Sequence, residues 1–110
     1  MEEEYLVVFV TAPSEEVARQ IAAQVVGEKL AACANILPAI QSLYWWEGKV
    51  QEDKEVLLIF KTQKLRMSGL ETVVKQIHPY DVPEIIALPV AAGSQAYLDW
   101  IGASIRLAGE

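Results

Sequence analysis

Between Tyr5 and Val10 the chain is apolar at every position and mostly β-branched or aromatic, a pattern that suits a strand buried on both faces of a sheet. Pro13 and Ser14 break it. Ser14 is placed to cap a helix, Glu15 and Glu16 fall where the helix dipole favours negative charge, and Val17, Ile21 and Val25 share an apolar face with Ala18, Ala22 and Val26. This predicts a helix to about Lys29. From Cys33 to Trp46 the pattern turns strand-like around Pro38, Glu47-Gly48-Lys49 offers a tight reversal, and Val56 to Phe60 forms a second fully apolar strand ending at Lys61-Thr62, so that the whole reads as a long hairpin. Leu70, Val73, Val74 and Ile77 then recur at helical spacing. Two starts compete for that helix, a cap at Thr62 and a capping box at Ser68-Gly69-Leu70-Glu71, and the early one is preferred. A strand from Glu84 to Val90 follows, and Gly93-Ser94 introduces a last helix with Tyr97, Leu98, Ile101 and Ile105 on one face.

The order is β-α-β-β-α-β with a further C-terminal helix. Two β-α-β halves joined by a hairpin predict an α+β ferredoxin-like sandwich, four antiparallel strands with two helices on one face, and the first and third strands at the centre because they are apolar throughout. The first hairpin arm, Ile36 to Trp46, spans about 35 Å at ~3.3 Å per residue, so its tip is expected to protrude from a domain of this size. That tip carries Tyr44-Trp45-Trp46. Strand alternation puts Tyr44 and Trp46 on one face and Trp45 on the other, either as cross-strand partners within the hairpin or as contacts to another subunit.

Composition sharpens the second possibility. The 110 residues form a single domain, residues 1–110, and 53% of them are hydrophobic. A domain this small leaves roughly a third or more of its unfolded-chain surface in water, so self-association is expected to hide part of it. A net charge of −6, with nine scattered basic residues, excludes nucleic acid and anionic membrane surfaces as natural partners. No apolar stretch reaches the ~18 residues of a membrane span, and the acidic Glu2-Glu3-Glu4 start has the wrong charge for a signal peptide. With Cys33 as the single cysteine there is no internal disulfide, and the chain reads as cytoplasmic.

The candidate chemistry centres on His78-Pro79-Tyr80-Asp81-Val82-Pro83-Glu84, which holds the only histidine. Pro79 forces His78 out of helical geometry. One account of His78 is electrostatic, its charged form facing the negative end of the preceding helix. The other is metal ligation, with His78 as a borderline-soft donor combined with a carboxylate such as Glu84, or supported by groups from a neighbouring subunit. One His and one Cys exclude a structural-zinc cluster inside one chain. Cys33, set in Leu30-Ala31-Ala32-Cys33-Ala34, reads as a buried small hydrophobe, and Glu52, Asp53 and Glu55 as a solvated hairpin face. Lys61, His78, Tyr80 and Glu84 include acid and base groups, but there is no nucleophile elbow, phosphate-binding glycine loop or spaced acid/base pair, so no enzymatic activity is expected.

Lys29-Leu30-Ala31-Ala32-Cys33-Ala34-Asn35-Ile36, Ser42-Leu43-Tyr44-Trp45-Trp46-Glu47-Gly48-Lys49, Glu55 to Thr62, His78 to Ile85, and Tyr97-Leu98-Asp99-Trp100-Ile101 resemble, in order, the signature blocks of the CutA divalent-cation-tolerance family. The resemblance implies a ferredoxin-like fold, a homotrimer like that of the PII signal proteins, and association with divalent metal, copper in particular. It also implies a role in metal homeostasis, with a PII-like small-molecule sensor or regulatory module as the alternative. Some members carry a cysteine just before the Thr-Ala-Pro segment that is associated with copper; here that position is Val10, which removes a soft ligand.

Overall fold

The computed structural model describes residues 4–110; Glu2 and Glu3 of the acidic opening lie outside those residues. Strand β1 (Tyr5–Ala12) sits between its two neighbours because it has an apolar side chain for each face of the sheet. It pairs antiparallel with β3 (Lys49–Gln63) from Tyr5 opposite Gln63 to Ala12 opposite Val56. On its other edge it pairs antiparallel with β4 (Ile85–Pro89), from Leu6 opposite Pro89 to Val10 opposite Ile85. With β2 (Cys33–Trp46) outside β3, the sheet order is β2-β3-β1-β4, which is the ferredoxin-like arrangement with the first and third strands central.

Alternation divides the strands between two faces. Leu6, Val8, Val10, Val56, Leu58 and Phe60 point to one side and are buried against α1 (Glu15–Gly27) and α2 (Met67–Ile77), through Ala18, Ile21, Val25, Leu70, Val73 and Val74. Ser14 caps α1 as expected, accepting the Val17 amide at 3.2 Å. Its C-terminus closes earlier than Lys29: Lys29 adopts φ 60, and the amides of Lys29 and Leu30 return to Val26 and Val25, a closure that satisfies carbonyls the helix would otherwise leave bare.

The start of α2 corrects the preferred cap. Thr62 remains in β3 and is fully buried, and its hydroxyl donates to the Leu30 carbonyl at 2.7 Å, so it is not free to cap. A 3-10 turn at Lys64–Arg66 leads into α2, and Ser68 lies inside that helix. The opposite face of the sheet is mostly bare. At one end α3 (Gln95–Ser104), capped by Ser94, crosses it with Gly102 close to Gln63 and Tyr5 and with the Tyr97 hydroxyl 3.7 Å from the Cys33 sulfur. Ile101 and Ile105 are buried there, whereas Tyr97 stays exposed beside Trp100, so the expected apolar face of α3 is half realised. Cys33 is half-buried beside Tyr97 rather than enclosed in the core.

The hairpin closes through Glu47 and Gly48, both at positive φ, the backbone of a two-residue turn that matches strand twist. A bulge sets Pro38 and Ala39 opposite the single residue Val56; β2 is an edge strand, where the missing amide hydrogen of Pro38 breaks no ladder bond. The hairpin carries the molecule to 47 Å along its longest axis, against 27 and 22 Å across. Ala39 holds φ 63 in the bulge, a conformation costing an L-residue about 1–2 kcal/mol. Ala39→Gly is therefore expected to stabilise the chain by about 0.5–1 kcal/mol after the extra unfolded-state entropy of glycine is deducted, as read by the midpoint of urea denaturation at unchanged slope.

Candidate functional site around His78

Helix α2 ends where Pro79 demands it. His78 is extended at φ −66 and ψ 133, and its own amide still closes the last turn onto the Val74 carbonyl at 2.8 Å. The extended backbone turns the imidazole inward, where it is 6% exposed. Nε2 lies 2.8 Å from the carbonyl oxygen of Thr11, and Nδ1 lies 3.2 Å from the Tyr80 amide nitrogen. A carbonyl only accepts and an amide only donates, so the ring hydrogen sits on Nε2 and the lone pair on Nδ1. His78 thus ties the end of α2 to the end of β1 as a neutral imidazole, rather than facing the helix carbonyls as a cation. The Tyr80 ring packs on it at 4.7 Å between centroids, tilted by 57°.

The hairpin comes near the same connection at Tyr44, Asp53 and Glu55. Tyr44 donates a hydrogen bond to the Asp53 carboxylate across the β2–β3 ladder. That bond, the burial of the phenol and the charges of Asp53 and Glu55 together push the Tyr44 hydroxyl up to about 12. Tyr80 is raised as well, by burial first and then by Glu55 and Asp53. Two phenols held neutral beside two carboxylates form an electronegative patch with hydroxyl donors. Lys61 and Asn35 make a separate polar pair on the bare face of the sheet, joined by a hydrogen bond from the ammonium to the amide oxygen.

The two expected metal ligands have unequal surroundings. The Nδ1 lone pair of His78 is engaged by the Tyr80 amide, so a cation there displaces that hydrogen bond; Glu84 is exposed just before β4. Among the described residues no three His, Cys, Asp or Glu side chains are grouped to hold a metal ion. Val10 is fully buried under α1 and α2, so in this fold a thiol at that position would lie in the core. The Thr11 carbonyl and the Tyr44–Asp53 bond were outside the sequence reading, the first because a backbone acceptor leaves no residue signal. The second had one, since hairpin register places position 44 diagonally from position 53.

Residues 6–104 match the family of CutA1 divalent ion tolerance proteins. The chain belongs to that family. It is 55% identical over 95 residues to the divalent-cation tolerance protein CutA of Thermus thermophilus, covering 86% of this chain and 92% of that relative. It is 52% identical over 101 residues to the chloroplastic protein CutA 1 of Oryza sativa, covering 92% of this chain but only 57% of the length of that relative. The crystal structure of CutA1 from Oryza sativa superposes with a TM-score of 0.90 at 50% identity, covering 94% of each chain. That of Cut A1 from Thermus thermophilus gives 0.86 at 54% identity, covering 88% of this chain and 94% of the other. The CutA1 fold is therefore shared from β1 through α3.

Removing the Asp53 acceptor frees the Tyr44 phenol to ionise more easily. In Asp53→Asn the highest tyrosinate transition in an ultraviolet pH titration is expected to move from about 12 toward the ordinary value of ~10. An unchanged transition would mean that the carboxylate does not hold the phenol.

Proposed function

We propose that this CutA1-family chain works as a homotrimer in divalent-cation homeostasis, taking the metal ion as cargo. The observation that carries the assembly is the sheet face opposite α1 and α2. There Val7, Phe9, Leu57 and Ile59 are only partly covered, Ile86 is 52% exposed and Leu88 44% exposed. Trp45 and Trp46, on opposite faces of the hairpin, are 74% and 60% exposed. Apolar surface of this extent is unusual for a free domain, and copies of the same chain offer matching surface around a closed symmetry axis. The cargo reading rests on the relatives named for divalent-cation tolerance.

The donor set of one chain fits weak rather than tight binding. Among the described residues His78 offers the single lone pair on Nδ1 and Glu84 a carboxylate, so a transition-metal site needs ligands from a second subunit. Copper is the cargo the imidazole favours by the usual order of divalent affinities, and modest affinity is expected.

At low micromolar concentration, sedimentation is expected to show trimer without folded monomer. Trp46→Ala is expected to weaken assembly by about 2 kcal/mol or more if the indole is an interface anchor. A monomer in the wild type, or unaltered assembly in the variant, would remove the oligomeric reading. Isothermal titration with copper and zinc is expected to give weaker binding in His78→Ala and in Glu84→Gln, with three ions per trimer for a site between subunits. Since loss of a buried imidazole disturbs the fold, the exposed Glu84 decides the case: identical titrations of wild type and Glu84→Gln would sink Glu84 as a ligand.

A further inference from the structure

Among the described residues Arg66 is the one Lys or Arg that the fold buries, at 8% exposure. Its Nε and Nη2 donate to the carbonyl of Ile105, the C-cap of α3, at 3.2 and 2.9 Å. That alone caps the helix. Nη2 also donates to the carboxylate of Glu110, which in turn accepts the Leu107 amide at 2.9 Å. The Leu107 amide, with Arg66 second, holds the Glu110 carboxyl below the usual carboxylate range.

This pair stands on the wall of a half-open cavity of about 920 Å³ between the start of β1, the 3-10 turn and α3. A space of this size is in the range of small-molecule sites, roughly 300–1,000 Å³, and exceeds what one glutamate side chain fills. Lys64 and Arg106 line it together with Arg66, against Asp99 and Glu110. Among the described lining residues three cations face two anions, and three face one when Glu110 is withdrawn, with Glu4 3.9 Å from Lys64 at the rim, in a chain whose net charge is −6. Asp99 is already engaged by the Gln95 amide at 2.9 Å, and Lys64 stands 3.9 Å from the Glu4 carboxylate. Glu110 therefore behaves as an internal carboxylate seated on a fixed guanidinium that is shaped to take one. We infer that this cavity binds a small dicarboxylate, one end of which displaces Glu110 from Arg66 while the other meets Lys64 or Arg106.

The test is isothermal titration of the full chain with succinate, with acetate and inorganic phosphate as separate arms at fixed ionic strength. Because Glu110 competes for Arg66, Glu110→Gln is expected to bind succinate about three- to tenfold more tightly than wild type. Arg106→Gln and Lys64→Gln, which leave the α3 cap intact, are expected together to weaken it by a similar factor, and acetate is expected not to saturate below about 10 mM. Equal succinate affinity in wild type and Glu110→Gln, or no saturable binding in either, would overturn the proposal and leave Arg66–Glu110 as a structural latch. Phosphate binding that follows the variants while succinate binding does not would equally overturn the dicarboxylate assignment.

Discussion

The rest of the structure depends on two adjacent strands, β1 and β3, being apolar on both faces. One face of that pair is satisfied within the chain, because α1 and α2 lay Ile21, Val25, Leu70 and Val74 over Val8, Val10, Leu58 and Phe60. Among the described residues the other face has no such cover beyond α3, which reaches only the end marked by Tyr5 and Gln63. A sheet built this way stabilises the monomer through one layer and keeps a second apolar layer in reserve. At about 25 cal/mol per Å² of apolar surface, that reserve is free energy available to association rather than to folding.

The same pair of strands fixes where chemistry can occur. Thr11, at the end of β1, presents its carbonyl to His78, and this single bond settles the tautomer of the imidazole and leaves its lone pair on Nδ1. The loop after α2 is thereby anchored to the sheet, and Tyr80 is held against the ring. Below it the hairpin brings Asp53 and Glu55 close enough to keep two phenols protonated. An electronegative patch thus arises beside the only histidine, with no group of three His, Cys, Asp or Glu side chains among the described residues.

Much of this was legible in the sequence wherever an element announces itself by apolar period. The unbroken Tyr5 to Val10 and Val56 to Phe60 runs identified the central strands, and Ser14 and Ser94 marked the helix starts where they are found. What escaped depended on partners distant in the chain. Thr62 looked like a cap from its local context, but the tertiary acceptor at Leu30 takes its hydroxyl and keeps it in β3. Cys33 looked like a packing residue among alanines, yet strand parity turns it to the bare face beside Tyr97. Arg66 carried no motif at all; its burial follows from α3 ending above it, a fact visible only once the chain has folded.

Thr11 and Tyr5 lie at opposite ends of β1, separated by about 20 Å at ~3.3 Å per residue. The His78 neighbourhood and the Arg66 cavity therefore face different ends of the sheet, one rich in carboxylates and phenols, the other in cations. Groups this far apart and lacking shared partners act additively, and salt screens their mutual field over about 8–10 Å. Within the chain, any coupling between the two ends has to pass through the rigid β1–β3 pair. Since a paired strand in the middle of a sheet has one arrangement, not two, the β1–β3 pair by itself is a rigid spacer and not a two-state element.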